Sequence, residues 1–372
     1  MLAPRRTALP HYRNQLARPA HLPLPVTSTL PLAARVISEG FLPARSALLQ
    51  GPVEPVAGPA PPDRIRGMLL ALAIGDALGN TSEGLTAADR ESRYGEIADY
   101  LPNSQADGRR VGLPSDDSQL AFWTLESLLD SGSLDPDDLS ARFASRQIFG
   151  IGNAVAKFLD NRAEGVTPWY RCGAESAGNG ALMRIAPIVL LHPAGTSAAL
   201  WLDTALASIV THRDASSVAS CVAFADLLAR LLRVQAPPRP GWIIATFLAT
   251  VRRVCADQLY RPRGGRFADW EGHYADYLEH ALGEAAVHGW STREACDTWH
   301  SGAYLLETMP SVLWILEKHA HDPEEAIVRA VNDTNDNDTV AAIVGAAVGA
   351  LHGAKALPAR WQMGLLGRTT AD

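Results

Sequence analysis

The chain has 372 residues, of which 47% are hydrophobic and 20% charged, the balance of a globular protein with a sizeable core. A formal net charge of −7 offers no basic footprint for nucleic acid, and the longest apolar run, 340–351, is too short to cross a bilayer. Four cysteines stand singly without a C-x-x-C pair, which argues against a zinc ribbon or a disulfide scaffold and favours a reducing cytoplasm.

Residues 1–62 differ in composition from the rest of the chain. They hold 12 of the 25 prolines and six arginines, but no aspartate or lysine. Because proline at this density blocks helices and sheet interiors, we expect an extended or disordered N-terminal extension, followed by a helical domain over 63–367. Three interpretations stay open: an extension without a role, an organellar transit peptide, or an arm that covers the protein's own cleft or contacts a partner.

From Asp63 onward the apolar residues recur with helical spacing, and no convincing run alternates with a period of two. The sequence therefore predicts an all-α fold. After a first helix over 65–78, the predicted helices span roughly 119–131, 137–161, 180–191, 198–210, 215–233, 241–258, 273–288, 301–319, 323–331 and 339–354.

Small residues recur every four positions in two of these helices. They are Gly67, Ala71 and Gly75 in the first helix, and Gly345, Gly349 and Gly353 in the last. A stripe of this kind lets another helix approach closely, and glycine inside a helix costs about 1 kcal/mol relative to alanine. Both helices are therefore predicted to be central, and each carries acidic residues at one end.

Two clusters of oxygen donors lie directly before predicted helices. The donors are Ser115, Asp116 and Asp117 in the first cluster, and Asp336, Asp338 and Thr339 in the second. Helix capping is one explanation of such residues and stays open. Five or six hard oxygen ligands from two helix ends would instead support two Mg²⁺ or Mn²⁺ ions, about 3.5–4 Å apart in sites of this type.

Two further motifs are weaker on their own. Glu83 follows the first helix on a flexible loop, where a glutamate is usually just solvated. The stretch Ser176 to Gly180 sets two glycines around Asn179, so its backbone amides suit a phosphate or a sugar. A plain tight turn is the alternative.

Taken together and in order, these elements resemble the ADP-ribosylglycohydrolase family. The matching stretches are RGMLLALAIGDALG from Arg66, SDDS from Ser115, SAGNGALMR from Ser176, THR from Thr211 and NDNDTVAAIVGAAVGALHG from Asn335. Serine replaces the threonine that usually stands at both ends of the second motif, and keeps the hydroxyl. The resemblance spans about residues 64–367.

The resemblance implies a single orthogonal multi-helix domain with two divalent cations, Mg²⁺ or Mn²⁺, at the bottom of a cleft. Carried over motif by motif, it makes Ser115, Asp116, Asp117, Asp336, Asp338 and Thr339 the metal ligands, and Glu83 and Asp117 the catalytic candidates. It also places Ser176, Gly178, Asn179, Gly180 and His212 beside the bound ADP-ribose.

The expected activity is hydrolytic removal of ADP-ribose from modified protein side chains, with a carboxylate acting as acid or base. We favour the arginine linkage over serine-linked and other conjugates. Alternatives are a two-metal phosphoesterase or pyrophosphatase, which needs more Lys or Arg near the ligands, and a protein that binds ADP-ribose without cleaving it. The N-terminal arm suggests a further one, a protein that blocks a cognate ADP-ribosyltransferase.

Overall fold

The structure is a computed structural model that describes residues 29–367. The prediction of an all-α fold is confirmed. The helices are α1 Leu30–Ser38, α2 Pro62–Asn80, α3 Ala87–Tyr94, α4 Asp116–Ser131, α5 Pro136–Ser145, α6 Asn153–Ala163, α7 Ala198–Ile209, α8 Ala215–Leu231, α9 Trp242–Val254, α10 Tyr274–His288, α11 Thr292–Thr298, α12 Leu305–His319, α13 Pro323–Asp333, α14 Asn337–His352 and α15 Ala359–Gly364.

Strands within the described residues are confined to two short antiparallel pairs. The pairs are β1 Pro102–Asn103 with β2 Arg109–Arg110, and β3 Leu259–Tyr260 with β4 Gly272–His273. No helix in this range has the length and apolar character needed to span a bilayer. The four cysteines are buried and free of disulfides.

Helices α2 and α14 pack against each other backbone to backbone at the centre of the fold, as the stripes of small residues predict. A Cβ atom on Gly345 would overlap the carbonyl of Ala71, and one on Gly349 would overlap the carbonyl of Gly67. No larger residue fits at these positions without moving a helix. The contact aligns the two helices so that the C-terminal end of α2 meets the N-terminal end of α14.

This close approach predicts a large effect of a single methyl group. Gly349→Ala is expected to lower the free energy of unfolding by about 3 kcal/mol, because the added Cβ meets backbone that cannot yield. Gly283→Ala is the matched control, since Gly283 is an exposed glycine in α10 with open space around it. The control is expected to gain about 0.5–1 kcal/mol. Equal stabilities of the two variants in urea titrations would contradict the packing argument.

The first 28 residues of the predicted N-terminal extension lie outside the described residues. From residue 29 the extension includes α1, so the extended conformation expected from its composition does not hold over 30–38. Pro31 stands in the first turn of α1, where a helix makes no use of the missing N–H. Ala33 and Val36 are buried on one face of this helix.

Backbone hydrogen bonds fasten the remainder of the extension to the helical body. The Arg45 N–H donates to the carbonyl of Val254 at 2.8 Å, and the Gly58 N–H donates to that of Ala194 at 3.2 Å. Leu42 and Leu48 are buried. Residues 29–61 are therefore part of the folded body, although their proline content predicts otherwise.

The single helix predicted over 137–161 is two helices, α5 and α6. Helix α5 ends at Ser145, because Arg146 adopts an extended conformation, and Gly150, with a φ of +82°, lies in the loop before α6. The stretch predicted as a helix over 180–191 forms turns and then a 3-10 helix over Ala186–Leu191, with Pro187 in its first turn. In both places the apolar periodicity continues across a stretch that is not α-helical, so the periodicity alone did not mark the break.

Candidate active site

A cleft of about 290 Å³ opens where the N-terminal ends of α4 and α14 meet the loop after α2. Of the site residues predicted from the sequence, all but Ser115 line it. They are Glu83, Asp116, Asp117, Ser176, Gly178, Asn179, Gly180, His212, Asp336, Asp338 and Thr339. The fold thus gathers motifs from distant parts of the chain at one site.

Asp76, in the last turns of α2, organises the start of α4. Its carboxylate accepts the Ser115 N–H and hydroxyl at 2.8 Å each, the Ser118 N–H at 3.0 Å and the Ser118 hydroxyl at 2.6 Å. Ser115 therefore lies behind the cleft wall, although its hydroxyl is also 3.2 Å from Asp117 Oδ2. The four bonds hold Asp116 and Asp117 where α4 begins.

The residues at the N-cap positions of the two acidic clusters do not cap their helices with their side chains. Neither Ser115 nor Asp336, the residues at the N-cap positions of α4 and α14, accepts a side-chain hydrogen bond from its own helix. Asp76 caps α4 from another helix instead. Within the acidic clusters, Asp338 Oδ1 accepts the Thr339 N–H at 2.9 Å in the first turn of α14. The positive ends of both helix dipoles favour negative charge there.

Three carboxylates form the bottom of the site. Asp76, Asp117 and Asp338 each offer an oxygen within 4.8 Å of the others, and all three are buried. Among the described residues, no arginine, lysine or histidine forms an ion pair with them, and Asp117 Oδ1 has no hydrogen-bond partner. Buried carboxylates are normally paired or bound to a metal. An oxygen-only set of this kind fits a hard divalent cation.

The electrostatics of the cluster support the same conclusion. Burial raises the pKa of Asp117 well above its ordinary value, and the charge of Asp76 raises it further. Burial also raises the pKa of Asp338, with Asp336 as its strongest charged neighbour. The protein alone therefore disfavours the ionised form of these groups. A bound cation reverses that preference, because opposite charge at short range stabilises the carboxylate.

Amide side chains connect the second acidic cluster to its surroundings. Asn179 Nδ2 donates to Asp336 Oδ2 at 2.6 Å and to the hydroxyl of Thr308 at 3.0 Å. Asn337 Nδ2 donates to the carbonyl of Gly79 at 3.1 Å and to the hydroxyl of Ser82 at 3.0 Å. The start of α14 is thus tied both to the glycine-rich stretch and to the loop that carries Glu83.

The glycine-rich stretch 176–180 lies against the imidazole of His212. A Cβ on Gly180 would come within 2.9 Å of His212 Cε1, and one on Gly178 within 3.4 Å of its Nε2. The stretch is held from the other side by the Asn179 N–H, which donates to the carbonyl of Ala303 at 3.0 Å. The two glycines therefore allow the backbone to approach the cleft and the histidine closely.

Two cleft residues fall outside the sequence motifs. Arg263 Nε and Nη2 donate to the two oxygens of the buried Glu307 carboxylate at 2.9 and 2.6 Å. The same guanidinium lies 5.1 Å from the ring centroid of Tyr304, and both side chains line the cleft. No local pattern marks them in the sequence, because α12 and the segment between β3 and β4 bring them together. Asp76 was not among the predicted site residues either, because its hydrogen-bond partners stand at the start of another helix, α4.

Comparisons with known proteins give matches over most of the chain. A family model described as ADP-ribosylglycohydrolase matches residues 57–372. An ADP-ribosylarginine hydrolase of Pseudomonas putida (strain GB-1) is 26% identical over 316 residues, covering 80% of this chain and 73% of that protein. The ADP-ribosyl-dinitrogen reductase glycohydrolase of Rhodospirillum rubrum is 25% identical over 317 residues, covering 82% and 91%.

Similarity extends to solved structures. One, described as an ADP-ribosylglycohydrolase-related protein complex, superposes with a TM-score of 0.58 at 30% sequence identity. The match covers 82% of this chain and 92% of the other.

Proposed function

The chain belongs to the ADP-ribosylglycohydrolase family, and on that premise we propose that it is a metal-dependent hydrolase that removes ADP-ribose from modified arginine side chains. The observation that carries the proposal is the group of buried carboxylates without an ion-pair partner in the described part of the chain, two of which, Asp117 and Asp338, line the same cleft as the glycine-rich stretch. The arginine linkage is supported by the name and the 26% identity of the Pseudomonas putida relative. Serine-linked ADP-ribose is the alternative substrate.

Asp76, Asp117 and Asp338 would hold the metal, together with the neighbouring donors Asp116, Asp336 and Thr339. Ser115 stays a predicted ligand, although its hydroxyl contacts Asp76. Oxygen donors suit Mg²⁺ and Mn²⁺ alike. When bound, such cations supply charge stabilisation and lower the pKa of water.

The chain's own residues divide the remaining work. The glycine-rich stretch 176–180 receives the phosphates or the distal ribose, since its glycines permit close approach of the backbone, although the Asn179 N–H is already donated to Ala303. Asp117 is committed to the carboxylate cluster by its burial, so Glu83 is left as the group that moves a proton. As a carboxylate it takes a proton from the attacking water, or as a carboxylic acid it donates one to the leaving guanidine, while the bond at the anomeric carbon breaks and the water oxygen bonds to that carbon.

The rival functions are disfavoured by specific features. A phosphoesterase acting on free nucleotides needs several cations around the ligands, and within residues 29–367 Arg263 is the cationic side chain that lines the cleft. That guanidinium is already paired with Glu307. A protein that binds ADP-ribose without cleaving it would have no use for Glu83 beside the carboxylates.

The test is release of ADP-ribose from arginine-modified and serine-modified protein, with Mg²⁺, with Mn²⁺ and with chelator. We expect release from the arginine linkage that stops in chelator and returns on adding metal. Release that is indifferent to chelator would contradict the metal requirement.

A second comparison separates binding without cleavage from self-blockage. Metal-dependent binding of ADP-ribose without release would favour the first, unless a variant lacking residues 1–28 gains activity. A deletion that stops at residue 28 leaves the buried Leu42 and Leu48 in the protein. Deleting residues 1–60 would remove them together with α1, and would therefore disturb the folded body.

A further inference from the structure

His212 stands directly after α7, and both of its ring nitrogens have defined surroundings. Nδ1 lies 2.9 Å from the hydroxyl oxygen of Thr211. Nε2 faces Gly178 and Gly180 on the side of the cleft. A neutral imidazole carries one proton, so the neighbour of Nδ1 decides whether Nε2 presents a proton or a lone pair to the cleft.

Thr211 shares its hydroxyl with a buried arginine. The Arg184 side chain is fully buried, and its Nη2 donates to Thr211 Oγ1 at 2.8 Å and to the carbonyl of Ala207 at 3.1 Å. A guanidinium is always a donor, so Thr211 Oγ1 must accept this bond. Its single proton then needs an acceptor of its own. Among the described residues, the acceptor within hydrogen-bond distance is His212 Nδ1.

The ring is neutral under ordinary conditions. Burial, and then the nearby Arg184 charge, lower the pKa of His212 to about 3. Because Thr211 donates to Nδ1, that nitrogen must be unprotonated and the one ring proton must sit on Nε2. The opposite tautomer would turn two donors, the Arg184 N–H and an Nδ1–H, toward the same hydroxyl and leave the Thr211 proton without an acceptor.

We propose that Arg184 is a positioning residue that acts through Thr211 to fix His212 as the Nε2–H tautomer, whose N–H donates a hydrogen bond to an oxygen of the ligand in the cleft. The identity of that ligand as ADP-ribose rests on the proposed function. The arrangement makes His212 a neutral donor whose direction is set before the ligand arrives. The opposite tautomer would place a lone pair against a phosphate oxygen, which has no proton to donate.

The tautomer is measured directly by nitrogen NMR of the full chain labelled with ¹⁵N-histidine. The His212 signals are assigned by their loss in His212→Asn. We expect Nδ1 to show the shift of an unprotonated ring nitrogen and Nε2 that of a protonated one, without titration between pH 5 and 8. A protonated Nδ1, or a ring that titrates near pH 6.5, would overturn the proposal.

Variants at Thr211 test whether the tautomer matters for binding. Thr211→Val keeps the shape but removes the hydroxyl, and is expected to lose the tautomer signature and to weaken ADP-ribose binding about tenfold. Thr211→Ser restores the hydroxyl and is expected to recover both. Unchanged affinity in Thr211→Val, with its fold verified by thermal unfolding, would overturn the positioning role. Failure of the parent to bind ADP-ribose would contradict the proposed function, while the nitrogen shifts would still decide the tautomer.

Discussion

Replacing Asp338 by alanine is expected to abolish both metal binding and ADP-ribose release. Asp338 lies at the start of α14 and supplies one of three mutually close carboxylate oxygens. Its loss removes the carboxylate that α14 contributes to this group of three. Losing several kcal/mol of charge stabilisation corresponds to a rate loss on the order of 10³-fold or more. Metal titration by calorimetry and the release assay measure the two effects separately.

The unfolding temperature of Asp338→Ala, measured with and without metal, provides a second test. Without metal, Asp338→Ala removes a buried carboxylate that its neighbours repel, so the variant should unfold at a temperature no lower than the parent in chelator. Adding Mn²⁺ should raise the unfolding temperature of the parent but not that of Asp338→Ala. Asp333→Ala is the matched control, because Asp333 is buried on the preceding helix but pairs with Arg329. It should unfold earlier yet keep the metal response; a full metal response in Asp338→Ala would remove Asp338 from the ligand set.

Glu83→Gln is expected to lower kcat by about 10²–10⁴-fold while metal affinity stays at the level of the parent. Glutamine has nearly the same shape as glutamate but cannot accept or carry a proton at neutral pH. The loop itself should stay in place, since Ser82 and Asn337 fix its start. The measurements are steady-state release of ADP-ribose and calorimetric titration with Mn²⁺.

Glu91→Gln provides the control for that experiment. Glu91 is an exposed residue of the next helix, α3, and its ion pair with Arg293 spans 3.4 Å at the surface. Its replacement should leave kcat within a factor of two, because exposed ion pairs contribute little. Full activity in Glu83→Gln would assign the proton transfer to another group, with Asp117 the next candidate. Loss of metal binding in Glu83→Gln would instead make Glu83 a ligand.

The fold was largely predictable because long helices carry a periodic apolar pattern. The pattern failed where a loop interrupts the helix, as over 146–152 between α5 and α6. Short polar helices gave no such signal: α11 has only seven residues, and the structure shows that it begins with a capping box from Ser291 to Glu294. In the N-terminal extension, proline content concealed the buried face of α1.

The candidate site was predictable where its residues stand in local motifs, and less so where they depend on tertiary contacts. The acidic clusters and the glycine-rich stretch are continuous in sequence and meet in one cleft. The hydrogen bonds from Ser115 and Ser118 to Asp76 connect the start of α4 to α2, and no sequence pattern in either segment indicates this contact. The ion pair between Arg263 and Glu307 also joins distant segments, so the sequence does not reveal it.

The backbone contact between α2 and α14 also has a consequence for the order in which the chain is synthesised. Helix α2 leaves the ribosome early, and α14 follows only after most of the remaining chain has been made. Until α14 is made, the face of α2 that carries Gly67 and Ala71 has no helix packed against it, and the site lacks the carboxylates of Asp336 and Asp338. We therefore expect nascent chains that end before α14 to be inactive and to be retained by chaperones, since a partly folded chain exposes apolar surface.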